Sequence, residues 1–543
     1  MRILGINAIF HDPAAALVVD GQVVAAAEEE RFSRRKHGKR PVPFSAWELP
    51  EQSAAWCLRH AGIEAADLDA VTYSYDPDLV EPGQAGLDVN WEELRTRYAR
   101  RAPAFLANAF RGLDPEIVHY VPHHVAHAAS AGLAAPFGDC AVMVADGRGE
   151  CASYLAGEYR DRDLTVLASQ RLPDSLGLMY EEVTDHLGFR RSSDEYKVMA
   201  LASYGKPTML QTLQELIYAD GDGGFVVRPV DWNTLAKRRP AGTELVEEHA
   251  DLAASVQRCL EQVLLSLVRW LHDRTGNRRL TLAGGVALNC VANTRIADEG
   301  PFDELWVQPA AGDAGTALGG ALHLAAELGE PAVMTRADLG REWTGDELAA
   351  WLDTARLRYE RPADVAAVAA EALADDQIVA WFQGRSEYGP RALGRRSLLA
   401  HPGRKDNLDR LNAVKGREKF RPVAPMVLAD RAGEIFDRGP IPSPYMLFVH
   451  DVRPSWRERI PAVVHVDGTA RIQTVRRADN PDYHRAIQAF GELTGVPLVL
   501  NTSLNVKGEP IVETPQDAVR TLLESKIDYL VLPHLVLSRR GER

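Results

Sequence analysis

The strongest constraint on the fold is a run of three extended segments that occurs twice. The chain opens with RILGIN, AAALVVD and QVVAAAEEE, and Asp20-Gly21 supplies the tight hairpin between the second and third. Glycine tolerates the positive φ that such a turn needs. The same order returns as AVMVADG, CASYLAGEY and LTVLASQRL, with turns near Gly147 and Arg160. Two separated meanders, each led by an apolar strand, predict a duplicated architecture.

Amphipathic helices follow each meander: PEQSAAWCLRHAG and HHVAHAASAGLAA in the first half, LAASVQRCLEQVLLSLVRWLHDRTG in the second. RRLTLAGGVALNC and FDELWVQPAAGDAGTALGGALHLAAELG each read as a strand entering a glycine turn and then a helix, so the fold class is α/β. Periodicity fails over 327–348 and restarts with the helix DVAAVAAEALADD and the strand QIVAWFQ. A chain of 543 residues is too long for one core, and the break predicts domains at 1–335 and 345–543, with a boundary near 340.

Charge and cysteine usage limit the partners. A formal charge of -14 argues against non-specific nucleic-acid binding by the whole molecule. The five cysteines are scattered with no C-x-x-C, no apolar run approaches the ~18 residues of a membrane span, and MRILGINAIFHD lacks a signal-peptide core. A cytoplasmic protein without membrane or nucleic-acid partners is expected.

Chemistry concentrates in a few segments. In HHVAH, His123 and His127 are four apart and would share one helix face, able to grip one metal ion. The zincin motif of that spacing has a glutamate base in second position, where this chain has His124. Asp146 ends the strand of VADGRGE and Asp313 lies in AAGDAGTALGG; each is placed as a ligand carboxylate or equally as a turn or helix cap. Glycine turns at Gly284-Gly285 with Asn289, and at Gly312, precede helices and could cradle a phosphate or serve close packing. The Walker pattern is absent from the sequence.

RFSRRKHGKRP holds six Lys or Arg in residues 31–41, as a solvated loop would. From Arg385 to Arg421 eleven Lys or Arg stand against four Asp or Glu, broken by glycines and prolines, which suggests a shaped pocket for a multiply charged anion. LVLNTSLNVKGEP, with Asn501, Thr502, Ser503 and Asn505, offers groups for phosphate oxygens or a ribose, or an Asx turn.

Taken together, FHDPAAALVVDG, EEERFSRRKHG, VPHHVAHAAS, DGRGE, DEYKVMALASYG, AGGVALN, GRSEYGPRALGRRS, VKGREKFRPVAP, HVDGTARIQTV and LNTSLNVKGEPIV resemble the TobZ/NodU-type O-carbamoyltransferases nearly end to end. The resemblance implies a duplicated N-terminal domain of the actin-like ATPase superfold (ASKHA, TsaD-like) and a YrdC-like α/β C-terminal domain. It implies that carbamoyl phosphate and ATP, with Mg(II), give a carbamoyl-adenylate in the C-terminal domain. The carbamoyl group is then passed in the N-terminal domain to a hydroxylated small molecule, beside Fe(II) or a similar divalent metal. Carried over by motif, the metal ligands are His123, His127, Asp146 and Asp313. Lys36, Arg391, Lys415, Arg421, Arg471 and Ser503 form the ATP and carbamoyl phosphate site, and Gly284, Gly285, Asn289 and Gly312 hold the adenylate. His11 contacts the carbamoyl group, with His11 or Asp12 as the base for transfer. Residues around 76–105 are expected to shape the acceptor pocket. The competing readings are an actin-like-fold small-molecule kinase, a tRNA threonylcarbamoyl-modifying enzyme, and a metal or nucleotide sensor without catalysis.

Overall fold

A computed structural model describes residues 1–38, 49–81, 83–84 and 89–539, without the side chains of 89 and 90. The chain separates into two compact units, Met1–Thr335 and Arg336–Arg543.

In the first unit the opening meander is β1 (Arg2–Asn7), β2 (Ala14–Val19) and β3 (Gln22–Glu28), joined by β4 (Ala70–Tyr73) and β5 (Val118–Tyr120). Their order is β3-β2-β1-β4-β5, with β1 antiparallel to β2 and parallel to β4. The second meander is β6 (Cys140–Ala145), β7 (Ala152–Arg160) and β8 (Asp163–Arg171), joined by β9 (Arg279–Ala283) and β10 (Glu304–Val307). Its order is β10-β9-β6-β7-β8, with β6 antiparallel to β7 and parallel to β9. The two sheets share one plan: the first strand is central, its hairpins lie on one side and parallel strands on the other. The duplication implied by the sequence is therefore present strand for strand, in a mixed α/β fold. Both hairpins turn through two residues of positive φ, Asp20-Gly21 (48° and 73°) and Asp161-Arg162 (49° and 74°), the handedness that matches strand twist.

Helices α1 (His123–Gly132), α2 (Glu247–Thr275) and α3 (Ala314–Glu327) belong to this unit. The sequence of α3, AGTALGGALHLAAE, is nearly all small or apolar, and its Ala314–Leu322 stretch is buried throughout. Small residues let main chains touch. A Cβ on Gly5 of β1 would meet the Ala317 carbonyl oxygen at 1.9 Å, and one on Gly319 would meet that of Ala126 in α1 at 1.8 Å. α3 is thereby fixed against both β1 and α1.

The second unit is built on a seven-stranded sheet: β11 (Val379–Phe382), β12 (Arg396–Ala400), β13 (Ala424–Leu428), β14 (Gln473–Val475), β15 (Leu498–Ser503), β16 (Tyr529–Leu532) and β17 (Leu535–Ser538). The order is β14-β13-β15-β12-β11-β16-β17, with β15 antiparallel to both neighbours. Helices α4 (Val365–Ala374), α5 (Asn407–Val414) and α6 (Pro481–Thr494) accompany it. The fully buried Trp381 lies 5.5 Å from the Tyr483 ring of α6. Residues 336–344, expected as linker, belong to this unit. Arg385 donates to the Leu339 and Gly340 carbonyls and the buried Arg396 to that of Arg341, so arginine side chains replace periodic packing there.

Gly319→Val is expected to destabilise the first unit by roughly 3 kcal/mol or more, because main-chain atoms leave the new methyls nowhere to go. Gly433→Ala, with nothing within 4 Å of its Cβ, serves as the control and is expected to change stability by less than about 1 kcal/mol. Urea unfolding of both variants checks this.

Candidate functional site

The first two turns of α1 present His123 and His127 on one face, as the spacing predicts. Asp146 follows directly on β6, and Asp313 stands at the N-terminal boundary of α3, its side chain making no capping bond to that helix among the described residues. The main-chain contacts of α3 with β1 and α1 bring all four side chains together, although they span 190 positions of sequence. His123 Nε2 stands 3.6 Å from Asp146 Oδ2 and 3.7 Å from Asp313 Oδ1. His127 Nε2 stands 3.9 Å and 3.6 Å from the same two oxygens. All four residues are buried, and among the described residues the Nε2 atoms of both histidines have no hydrogen-bond partner. Two ligands each about 2.1 Å from a common ion lie roughly 3 to 4 Å apart, so the spacing is right for coordination and too wide for hydrogen bonds. Two imidazoles and two carboxylates suit a divalent ion such as Fe(II).

The electrostatics point the same way. Burial opposes charge on His123, but the Asp146 carboxylate and the charge of Asp313 outweigh it and raise its pKa to about 9. Burial, helped by the charge of His123 and opposed by that of Asp146, pushes His127 down to about 3. Burial opposes ionisation of Asp146, yet the His123 contact and the nearby imidazoles hold it below the usual carboxylate range. Burial and the Asp146 charge push Asp313 up to about 7. Two carboxylates facing one point cannot both ionise cheaply without a cation between them. His124, in the motif's second position, is pushed down to about 3 by burial and stays a neutral imidazole.

The surroundings fix these ligands. Glu150 Oε1 accepts from the main-chain N–H groups of His123 and Asp76, both at 2.8 Å, and Ser74 O faces His123 Nδ1 at 3.1 Å. Gly285 N–H donates to Asp146 Oδ1 at 2.8 Å, so one of the proposed adenylate glycines adjoins the cluster. Gly284 has a φ of 89° and a Cβ there would meet the Ala145 carbonyl oxygen at 2.2 Å, which explains glycine at that position. Gly312 directly precedes Asp313. Asn289 is turned inward: its side chain caps the helix Cys290–Glu299 through Ala292 N–H and pairs with Gln257.

A second polar group surrounds the loop after β1. Asp12 Oδ2 lies 2.8 Å from His11 Nδ1, and Asp12 Oδ1 lies 2.9 Å from His37 Nδ1. Lys36 opens the turn Lys36–Gly38 that carries His37. Asn7 donates to the main-chain carbonyls of His11 and Asp12 at 2.8 and 3.0 Å. Of the expected acceptor segment, residues 82 and 85–88 lie outside the described residues, as do 39–41 of the first basic run. In the described part, Tyr75 Oη donates to Glu92 at 2.8 Å and Arg95 lies 5.1 Å over the Phe10 ring.

In the second unit the named residues gather at one end of the sheet. β15 ends at Ser503, which pairs with Ser397 near the start of β12. Asn501 pairs with Ala424 at the start of β13, and β13 runs parallel to β14. Arg391 therefore precedes β12, Lys415 and Arg421 precede β13, and Arg471 precedes β14, all beside the Ser503 end. Side chains tie these loops together: Asn501 donates to the Ala392 carbonyl, Gln473 to that of Leu393, and Asn412 to that of Arg421. Lys415 and Ser503 meet directly, the ammonium lying 2.5 Å from Ser503 O, 3.1 Å from Ser503 Oγ and 2.5 Å from Asn505 Oδ1. The buried Arg471 Nε has no hydrogen-bond partner among the described residues. Several neighbouring arginines are structural instead. Arg396 is fully buried over the Phe382 ring at 3.8 Å, and Arg395 pairs with Asp338 at 2.7 Å. Glu387 Oε1 gathers the N–H groups of Leu393, Arg395 and Arg396 and shapes the loop.

Sequence reasoning named the four metal-type residues but missed Glu150 as the anchor of His123, and it missed His37 as a partner of Asp12 and Ser193, whose Oγ lies 2.9 Å from His37 Nε2. Glu150 lies within the quoted DGRGE motif; His37 and Ser193 have no spacing that links them to Asp12.

Residues 2–113 and 111–322 match the model for the carbamoyltransferase N-terminus, and 370–539 that for the carbamoyltransferase C-terminus. The nodulation protein NolNO of Sinorhizobium fredii is 40% identical over 98% of this chain and 80% of its own length. Nodulation protein NolO of Bradyrhizobium diazoefficiens is 42% identical over 77% of this chain and 79% of its own, and nodulation protein U of Rhizobium tropici is 31% identical over 94% and 91%. Among solved structures, a ROK hexokinase from Thermus thermophilus overlaps 61% of this chain and all of its own at a TM-score of 0.32, with 14% identity. The chain belongs to the carbamoyltransferase family. Among the described residues no helix is long and apolar enough to cross a membrane.

The purified protein is expected to retain about one Fe(II) or similar divalent ion per chain, and Asp313→Asn and His127→Ala to retain under roughly a tenth of that. Elemental analysis after gel filtration measures it; Asp313→Asn keeps the side-chain shape and isolates the charge.

Proposed function

We propose that this chain is an ATP-dependent O-carbamoyltransferase. It converts carbamoyl phosphate and ATP into carbamoyl-adenylate, releasing phosphate and pyrophosphate, and moves the carbamoyl group to a hydroxyl of a natural product, an antibiotic or a glycoside. The observation that carries this reading is that two chemically different sites are built, one in each unit: a buried two-histidine, two-aspartate cluster, and a cationic sheet end centred on Lys415 and Ser503.

The cationic end suits adenylation. Carbamoyl phosphate and ATP are both polyanions, and joining them needs charge cancellation and alignment more than a covalent protein group. Lys415 holds one positive charge in a fixed place, with Ser503 and Asn505 oxygens setting its direction. Arg391, Arg421 and Arg471, on loops tied to the same sheet end, supply the rest.

The cluster in the first unit suits transfer. His123, His127, Asp146 and Asp313 would hold a divalent ion, which supplies Lewis acidity and an anchor for an oxyanion. Gly285 N–H, donating to Asp146 Oδ1, brings the glycine turn to the same point. His124, kept neutral by burial where a metalloprotease has its glutamate, leaves this site without a carboxylate base for water. Holding an activated carbonyl compound against hydrolysis is what a carbamoyl donor requires.

The test is product analysis. With ATP, carbamoyl phosphate, Mg(II) and Fe(II), the protein is expected to release AMP and pyrophosphate and to carbamoylate a hydroxylated acceptor; ADP as the nucleotide product would indicate a kinase instead. Lys415→Ala is expected to lower pyrophosphate release by at least about a hundredfold. His127→Ala is expected to stop carbamoyl transfer while pyrophosphate is still released. Loss of pyrophosphate release in both variants would overturn the division of labour.

A further inference from the structure

We propose that His37 is the base that takes the acceptor hydroxyl's proton during carbamoyl transfer, held by Asp12 on one side and facing Ser193 on the other. The inference rests on the carbamoyl-adenylate reading above.

His37 Nδ1 lies 2.9 Å from Asp12 Oδ1, and His37 Nε2 lies 2.9 Å from Ser193 Oγ. Carboxylate, imidazole and hydroxyl in that order form the arrangement that hydrolases of unrelated fold use to deprotonate a hydroxyl. The three residues come from separate segments of the first unit: the loop after β1, the turn Lys36–Gly38, and the turn before the helix Glu195–Ala202.

Hydrogen-bond partners decide which group can accept a proton. His11 faces two acceptors, Asp12 Oδ2 at 2.8 Å and the Ser192 carbonyl at 2.5 Å. Each of its nitrogens faces an acceptor, so neither is turned toward a group with a proton to give. Asp12 is spanned by two imidazoles. Burial opposes its charge, but the imidazoles outweigh this and hold the carboxyl well below the usual range. His37 differs from both. Its Nδ1–H goes to Asp12, which leaves the Nε2 lone pair turned toward a hydroxyl, the one partner here that can donate. Among the described residues, the titratable groups in direct contact with His37 are Asp12, the His11 ring at 4.5 Å, and Glu30, which accepts from the His37 main-chain N–H at 2.7 Å; Lys36 precedes it in the same turn.

The geometry is constructed at a cost. Phe10, Asp12 and His37 all have positive φ (54°, 45° and 61°), and none is glycine. Gly38 allows the turn to press on Pro13, whose Cδ would lie 2.6 Å from a Cβ at position 38. The same loop adjoins the metal-type cluster: the Phe10 ring meets His123 edge-on at 5.2 Å. Asn7, which holds the loop, accepts from Ser74 Oγ at 3.2 Å, and the Ser74 carbonyl faces His123.

In the step itself, the acceptor's O–H proton passes to His37 Nε2. The freed oxygen pair forms the bond to the carbamoyl carbon, and that carbon's bond to the adenylate phosphate oxygen breaks. AMP leaves with the bonding pair, and His37 returns the proton to solvent. His37 is the catalytic residue and Asp12 a positioning residue.

The experiment compares two nucleophiles with the full-length protein under carbamoyl-adenylate-forming conditions. Hydroxylamine attacks without a base; methyl glucoside, heading a panel of simple glycosides, needs one. In His37→Gln the ratio of hydroxylamine to glycoside carbamoylation is expected to rise at least about a hundredfold over wild type, the usual contribution of a general base. Asp12→Asn is expected to raise the same ratio, which guards against a variant that merely folds poorly. A ratio unchanged in both variants would overturn the assignment, as would wild-type carbamoylation of hydroxylamine but of no glycoside. A carbamoyl adduct on Ser193 in the quenched wild-type protein would also overturn it, by making Ser193 the nucleophile. Absence of pyrophosphate from ATP and carbamoyl phosphate in wild type would instead remove the proposed function, and this inference with it.

Discussion

The first unit depends on main chain touching main chain. α3 approaches β1 and α1 so closely that carbonyl oxygens occupy the places where Cβ atoms of Gly5 and Gly319 would stand. That approach sets where α3 begins, and so where Asp313 projects, relative to the first two turns of α1 with their two histidines. An additional methyl at either glycine would part the helix from its neighbours and separate the cluster. Side chains supply the chemistry, but glycines set the distances.

Within that frame the charges are arranged in opposition. Asp146 is held ionised by imidazoles while Asp313, a short distance away, is driven towards its neutral form by burial and by Asp146 itself. The histidines are divided as well, His123 favouring its proton and His127 refusing it. Such a set is electrostatically unfinished as protein alone, and a divalent cation completes it. The second unit solves the opposite problem, concentrating positive charge beside a sheet end within an acidic chain. Glu387 there shapes a loop and Asp338 pairs with Arg395, while the Lys415 ammonium meets oxygens of Ser503 and Asn505.

Much of this was legible in the sequence where physics is local. The two meanders could be read because hairpins and alternating burial are written within a few residues of one another. HHVAH could be read because helical spacing alone puts two imidazoles on one face. Asp146 and Asp313 were marked by their places at a strand end and a helix start, though each could have been a mere cap. The arginine-rich stretch was legible only in bulk. Nothing in GRSEYGPRALGRRS tells that Arg396 is buried against Phe382 while Arg391 stands among the loops beside Ser503. The Asp12, His37 and Ser193 group was not legible at all. Its members are brought together by loop conformations of positive φ and by the contact of Gly38 with Pro13, and neither follows from residue spacing.

The matching strand orders of the two halves have one more consequence. In each half the central strand leads to a polar residue of nearly the same shape, Asn7 as the last residue of β1 and Asp146 directly after β6. The amide can both donate and accept, so Asn7 stitches the following loop to Ser74 and to its own carbonyls. The carboxylate can only accept, so Asp146 takes a main-chain N–H with one oxygen and turns the other to the histidines. A doubled fold thus offers two equivalent seats, and one atom, nitrogen or oxygen, decides that the first is a fastener and the second a ligand.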